Sequence, residues 1–250
     1  MQQATDYSVY ELSLKERIEY GALGLVLAGV IAYVFYRSVI VFIPLGIAAV
    51  ILFPIYEKGQ LQLKRRRRLM SEFREGITIL SSTLSAGYSM ENAMRESEAQ
   101  LCMLLGDDAM IVREFEYINS RVSTNIPIEV AWQEFADRSD IEDIRNFVQV
   151  IKVAKRSGGD FKAIIAASAD TIGDKIQIKE EITTHTAAKR LEQKIMDVIP
   201  LVIVIYIDAT SPGFFDGMYS GLTGRIIMSA CLAVYILAIY ISGKILRIEV

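Results

Sequence analysis

The sequence predicts an all-α, polytopic membrane protein with four transmembrane helices and a cytoplasmic helical bundle built from two helix-hairpin units. Hydrophobic residues make up 52% of the 250 residues, although 23% of the residues are charged. The apolar residues concentrate in one block near each end, and the charged residues crowd into the middle. Since a soluble domain with this charge content is usually less apolar, membrane spans that flank a water-exposed domain explain the pattern.

The first apolar block is long enough for two membrane spans. Residues 20–36 and 38–56 carry no charge, and only Arg37 separates them. One helix crosses a hydrocarbon core of roughly 30 Å with about 20 residues, so the block is too long for a single span. Two helices joined by a tight turn at Tyr36–Ser38 fit this length better.

The second apolar block predicts two further spans. Residues 198–207 are solidly apolar, a mixed stretch continues to Phe215, and residues 226–242 form a cleaner final span. Asp208 lies where the outer end of the third span should be. A carboxylate in hydrocarbon is costly, so Asp208 is a candidate for a polar contact in the membrane. The alternative is that Asp208 already lies in the interfacial zone.

The distribution of lysine and arginine predicts the orientation. The segment after the second span is rich in both, whereas the two short connections hold only Arg37 and Arg225. Because lysine and arginine favour the cytoplasmic side, both termini and the central domain should be cytoplasmic. The predicted division is a cytoplasmic segment over 1–19, a transmembrane hairpin over 20–56, a cytoplasmic helical domain over 57–194, a second transmembrane hairpin over 195–243 and a cytoplasmic tail over 244–250.

A basic run begins the central domain. It consists of Lys64, Arg65, Arg66, Arg67 and Arg68. A basic run just inside a membrane usually anchors the topology and attracts anionic lipid. The run has no interleaved aromatic residues for base stacking, and the net charge of the chain is −3, so nucleic-acid binding is disfavoured.

The middle of the chain repeats apolar residues at helical spacing. The two repeating sets are Phe73, Ile77, Leu80 and Leu84, and Ile141, Ile144, Val148 and Ile151. Such spacing places the members of each set on one face of a helix. Ser139 and Glu142 predict a capping box that opens the second of these helices, and Pro127 lies where another helix would start.

A weak internal repeat predicts the two helix-hairpin units. In residues 80–94 and again in 151–165, a helix ends at a glycine, one residue intervenes, and a serine or aspartate can cap the next helix. Glycine takes the left-handed conformation that ends helices, and serine or aspartate accepts the free N–H groups of a new helix. The matched pairs are Gly87 and Gly158, Tyr88 and Gly159, Ser89 and Asp160, and Met90 and Phe161.

Signatures of catalysis and of cofactor binding are missing from the sequence. His185 is the single histidine, so a metal cluster is disfavoured, and no phosphate-binding loop or nucleophile elbow occurs. The acidic pairs Glu114 with Glu116 and Asp140 with Asp143 are most simply interpreted as solvated helix faces. We therefore expect no enzymatic activity, no cofactor and no metal.

Three stretches, taken in order, carry a resemblance to a known family. They are SAGYSMENAM at the first turn, RSGGDFKAII at the second, and KIQIKEEITTHTAAKRLEQKIMDVIPL in the helix that follows. Over roughly residues 60–250, the chain resembles the type II secretion F-domain family. The ending SPGFFDGMYSGLTGRIIMSACLAVYILAIYISGKILRIEV is more narrowly similar to platform proteins of tight-adherence (Tad/Flp) pili.

The resemblance implies a platform subunit of the inner or plasma membrane. Such a subunit would couple a hexameric cytoplasmic assembly ATPase to the insertion of pilins into the membrane or their extraction from it. Members of the general secretion branch carry two F domains and this chain carries one, which suggests that it pairs with itself or with a sister F-domain platform protein. The alternative is a self-contained four-span transporter or membrane scaffold, although the spans show no inverted repeat.

We expect the functional residues to make contacts and not to catalyse. The candidates are the two interhelix turns and the basic run, although plain helix architecture explains the turns equally well. The candidate residues are Arg65, Arg66, Arg67, Arg68, Gly87, Ser89, Met90, Gly158, Gly159, Asp160 and Phe161, with Asp208 as the candidate in the membrane.

Overall fold

The computed structural model describes residues 5–7, 12–157, 161–219 and 221–248. The regular elements within these ranges are helices, which confirms the all-α prediction. The helices are α1 (Leu14–Tyr36), α2 (Val39–Ser85), α3 (Met90–Leu105), α4 (Met110–Ser123), α5 (Ile128–Ser139), α6 (Glu142–Ser157), α7 (Phe161–Thr210), α8 (Asp216–Tyr219) and α9 (Leu222–Ile248).

The chain divides into two compact units. The first, which we call the bundle domain, comprises Met1–Glu11 and Gly59–Ile178. The second, which we call the membrane unit, comprises Leu12–Lys58 and Lys179–Val250. Helices α2 and α7 contribute residues to both units.

The core of the bundle domain is aromatic at its centre. Trp132 of α5 is fully buried, and its ring meets those of Phe115 and Phe147 edge-on, with centroids 5.7 and 5.5 Å away. Phe73 of α2 meets the Phe147 ring at 5.5 Å in the same geometry, which aromatic quadrupoles favour. Helices α2, α4, α5 and α6 therefore converge on one cluster of rings.

Both predicted apolar faces are confirmed. All four members of the α2 set are at most 2% exposed, and in the α6 set only Ile141 is not fully buried. The start of α5 is confirmed as well, because Pro127 directly precedes its first residue.

The predicted capping box at Ser139 and Glu142 is wrong. Ser139 is the last residue of α5, and its hydroxyl donates to the carbonyl of Ala136 within that helix. Asp140 then takes a left-handed backbone conformation with φ of 51°, which turns the chain before α6 begins. Ser139 therefore closes one helix and does not open the next.

In the membrane unit, the predicted turn between the first two spans is confirmed. Helix α1 ends at Tyr36 and α2 begins at Val39, with Arg37 in the left-handed conformation between them. The two helices approach closely at Gly24, where a Cβ atom would lie 3.0 Å from Cβ of Phe53 and 3.1 Å from the carbonyl oxygen of Ala49. A glycine is therefore needed at this crossing, as at many close contacts of membrane helices.

Among the described residues, three helices are long and apolar enough to cross a membrane. They are Leu14–Tyr36, Val39–Ser85 and the part of α9 over Leu222–Ile245. The expected third span in α7 is shorter, because its continuous apolar stretch over 198–207 lies between Asp197 and Asp208. Ten helical residues rise about 15 Å, roughly half of the hydrocarbon thickness. The same end of α7 nevertheless packs with the other helices of the unit, since Leu201 and Val204 contact the buried cluster of α1 and α9.

Candidate functional site

The first interhelix turn has the geometry that its sequence predicts. Gly87 has φ of +103°, its N–H donates to the carbonyl of Leu84, and the N–H of Tyr88 donates to the carbonyl of Thr83. This pair of bonds is a Schellman motif, in which a left-handed residue closes the helix. Ser89 then caps α3 by accepting from the backbone N–H of Asn92.

The surface of this turn is largely exposed. Met90, the first residue of α3, packs against the core, while the Tyr88 ring is 47% exposed. No neighbouring atom lies within 4 Å of the position where a Cβ would stand on Gly87. The requirement for glycine is therefore conformational and not steric.

The second predicted interhelix turn falls at the edge of the described residues. The described part of α6 extends to Ser157, and that of α7 begins at Phe161. Gly158, Gly159 and Asp160 lie outside the described residues. The second capped turn, and with it the pair of hairpin units, stays a prediction.

The basic run is mostly engaged within the bundle domain. Arg66 pairs with Asp140 at 2.8 Å, and Arg68 donates to Glu72 at 2.8 Å. The guanidinium of Arg65 lies 4.8 Å from the centre of the Tyr7 ring. Arg67 is exposed and has no ion-pair partner among the described residues. Three of the four candidate arginines therefore interact with other side chains of the bundle domain.

A buried polar network that the sequence analysis missed holds the N-terminal segment. Tyr7 is 2% exposed, and its hydroxyl donates to Oε1 of Glu114 at 3.0 Å. Arg138 donates from both terminal nitrogens to the two oxygens of Glu114, at 2.9 and 2.5 Å. Backbone groups also take part in the network. The N–H of Tyr7 donates to the carbonyl of Arg138, and the guanidinium of Arg138 donates to the carbonyl of Thr5.

The electrostatics of this network keep Tyr7 and Arg138 protonated. Burial, and then the Glu114 carboxylate, raise the pKa of Tyr7. Burial lowers the pKa of Arg138, but its hydrogen bonds to Glu114 outweigh this and leave the pKa raised. Tyr7 therefore remains a donor and Arg138 a cation at physiological pH.

Two acidic side chains depart from the solvated faces predicted for them. Glu114 is 3% exposed and paired with Arg138, and Asp143 is 9% exposed and accepts a hydrogen bond from Lys175. The interpretation holds for Glu116, which is exposed. The local sequence could not show that Glu114 is buried and Glu116 exposed, because Arg138, the cation that pairs with Glu114, lies on a different helix.

A second polar network lies at one end of the membrane unit. Arg37, in the turn between α1 and α2, donates to Asp208 at 3.2 Å and to Asp216 at 3.3 Å. Asp208 also accepts from the hydroxyl of Tyr33 at 3.1 Å. The side chain of Asp208 is only 14% exposed, and Arg37 supplies a cationic partner for this candidate carboxylate. The turn after α1 and the end of α7 thus meet at the same end of this unit.

The described side chains form several ion pairs, and some of these join different helices. No group of three or more histidine, cysteine or acidic residues within the described ranges could hold a metal ion. These features describe a helical domain connected to a set of membrane helices.

A comparison with protein families decides the class. The family model for Type II secretion system (T2SS), protein F, matches residues 77–207, which is more than half of the chain. The chain belongs to the T2SS protein F family. Comparisons of this F-family chain with curated proteins and with solved structures found no match.

The match locates the family features on the fold. It begins in the last part of α2, spans α3 to α6 and ends in the apolar part of α7. Proteins of the F family are inner-membrane platform proteins of secretion and pilus systems and are not known enzymes. The chain is accordingly a multi-pass inner-membrane protein.

Substitution of Gly87 tests the first turn. Gly87→Ala should destabilise the bundle domain by about 1–2 kcal/mol, because alanine is strained in the left-handed conformation. The matched control is Gly59→Ala in α2, where no neighbouring atom lies within 4 Å of the added Cβ and alanine should stabilise the helix by about 0.5–1 kcal/mol. Denaturant unfolding of the purified full chain measures the change in the free energy of unfolding for both variants. Equal changes in the two variants would contradict the assigned turn geometry.

Neutralising Glu114 tests the buried network. Glu114→Gln should destabilise the bundle domain by about 3 kcal/mol, because it leaves the largely buried Arg138 without its counter-charge. Tyr7→Phe removes one hydrogen bond and should cost about 1 kcal/mol. Glu116→Gln, on the exposed face of the same helix, should change stability by less than about 0.5 kcal/mol. Thermal unfolding in detergent compares the stabilities of the three variants. The network has no structural role if Glu114→Gln destabilises the protein no more than Glu116→Gln does.

Proposed function

We propose that the chain is the platform subunit of a Tad-type pilus or related T2SS-like machine. In this role it couples a cytoplasmic assembly ATPase to the insertion of pilin subunits into the membrane or their extraction from it. The single observation that carries the proposal is the F-family match over residues 77–207. The Tad branch is supported by the resemblance of the sequence from Ser211 to the C-terminus.

The proposed topology has four spans, with the bundle domain in the cytoplasm. Tyr7 and the part of α2 from Gly59 onward both belong to the bundle domain, which supports a topology in which the chain between residues 12 and 58 leaves one side of the membrane and returns to it. Helix α1 and the first part of α2 supply this pair of crossings. The basic run that follows favours the cytoplasmic side for the bundle domain.

The Arg37 network supports the third and fourth spans. Because Arg37 lies in the turn farthest along the first hairpin, its contacts with Asp208 and Asp216 bring the α7–α9 connection to that same end. A short apolar stretch such as 198–207 can still cross when the carboxylate at its end is paired with a cation, which lowers the penalty of burial. The proposed domain over 57–194 then includes the polar part of α7, and the second hairpin occupies 195–243.

The proposed partner contacts lie on exposed parts of the bundle domain. The first turn offers the Tyr88 ring beside Gly87 and Ser89, and Arg67 offers a cation for a partner or for anionic lipid. The residues of the second turn, Gly158 to Phe161, remain candidates on the sequence alone. The proposed partners are the hexameric ATPase, pilin subunits, and a second copy or a sister F-domain protein.

Co-purification tests the proposed function. The tagged chain is crosslinked mildly in cells, extracted in gentle detergent and analysed by mass spectrometry, beside an equally tagged polytopic protein from the same membrane. We expect a secretion-type ATPase together with pilin-like subunits or a second F-domain protein, all depleted in the control. Recovery of the chain without these partners would contradict the platform role and favour a self-contained transporter or scaffold.

A further inference from the structure

The connection between α3 and α4 exposes an unusual apolar run in the bundle domain. Met103 is 81%, Leu104 60% and Leu105 37% exposed. Single exposed apolar residues are common on aqueous surfaces, but a consecutive exposed run marks an interaction site. Asp107 and Asp108 follow immediately, so the apolar run has an acidic edge. We call residues 103–108 the acidic tip.

The acidic tip is ordered by its own hydrogen bonds. Gly106, with φ of +82°, ends α3 by donating its N–H to the carbonyl of Cys102 at 2.9 Å. The thiol of Cys102 donates to Asp107 at 2.6 Å, and Asp108 accepts from Arg113 at 2.6 Å while its side chain remains 99% exposed. An ordered apolar surface loses little conformational entropy when it docks.

A surface of complementary composition lies on the outer side of α2. Leu63 is 52% exposed, and the neighbouring Lys64 and Arg67 are exposed as well. Neither cation has an ion-pair partner among the described residues. We call Leu63, Lys64 and Arg67 the basic ridge. It pairs an apolar side chain with two cations, as the acidic tip pairs apolar side chains with two carboxylates.

The basic ridge lies within about three turns of the residue of α2 that holds the start of α4. That residue is Glu72, which accepts from the N–H of Ile111, in the first turn of α4, at 3.1 Å, and from Arg68 at 2.8 Å. Arg67 precedes Glu72 by five residues, a rise of about 7.5 Å. Ile111 follows the acidic tip by three residues, so the tip and the ridge belong to the same part of the bundle domain.

We propose that the acidic tip of one copy docks on the basic ridge of a neighbouring copy of this chain. Met103 and Leu104 would cover Leu63, while Asp107 and Asp108 would face Lys64 and Arg67. The contact is head-to-tail, since the tip of one copy meets the ridge of the next, and such contacts build rings or open arrays. Charge pairing at the edge sets the register of the contact. This inference rests on the proposed function, which names a second copy of the chain as a partner, and it assigns the surfaces of that contact.

Crosslinking between copies tests the contact. In a full-length Cys102→Ser, Cys231→Ser background, Asp108→Cys is placed on one tagged copy and Arg67→Cys on a differently tagged copy, and both are oxidised in membranes. We expect a disulfide-linked heterodimer. The control replaces Asp108→Cys with Ser123→Cys, an exposed position at the other end of α4. Equal yields in test and control, or no heterodimer, would overturn the proposal.

A charge exchange separates docking from misfolding. Asp108→Lys and Arg67→Glu, each alone, should weaken self-association about fivefold, because each loses an edge ion pair and gains a repulsion. The two changes combined in one chain should restore it, as the exchanged charges at positions 108 and 67 are again opposite across the contact. Mass photometry in nanodiscs measures the oligomer fraction. Failure of the combined variant to recover, or crosslinking of the tip to a different protein, would overturn the proposal even where ATPase co-purification succeeds.

Discussion

A chain in hydrocarbon must satisfy every backbone N–H and C=O from within its own helices, because no water is there to replace them. This constraint governs the first 60 residues. Tyr7 is buried in the bundle domain, and the chain re-enters that domain after Lys58; the apolar segment between forms α1 and the first part of α2. The tight turn at Arg37 and the close approach of α1 to α2 at Gly24 follow from this requirement.

Ion pairs between helices set the remaining geometry of each unit. In the bundle domain, Glu114 and Arg138 bind the N-terminal segment to α4 and α5, and burial makes the loss of either charge expensive. In the membrane unit, Arg37 joins the turn after α1 to the end of α7 through Asp208. The Arg37–Asp208 pair connects residues more than 100 positions apart in the sequence. Each pair fixes which parts of its own unit lie together.

The sequence predicted the parts of this fold that depend on local pattern. The apolar face of α2 at Phe73, Ile77, Leu80 and Leu84, the turn at Arg37 and the Schellman motif at Gly87 all follow from spacing or from backbone preference. The Tyr7 network could not be predicted, because its members lie in three separate stretches without periodicity. The capping box predicted at Ser139 was wrong because a serine hydroxyl can donate to a carbonyl at the end of one helix as readily as it can cap the start of another. The continuation of α2 from the membrane span to Ser85 was also not foreseen, since the change from apolar to charged residues suggested a boundary.

The four-span topology is tested most directly by the side of the membrane that each connection faces. Single cysteines introduced at Ser38 and at Gly213 in a cysteine-free chain, compared with Ser123→Cys in the bundle domain, can be labelled with a membrane-impermeant maleimide in intact spheroplasts. The four-span topology predicts that positions 38 and 213 react from outside, while position 123 reacts only after the membrane is permeabilised. Labelling at 213 that matches 123 and not 38 would show that α7 does not cross the membrane and would contradict this topology.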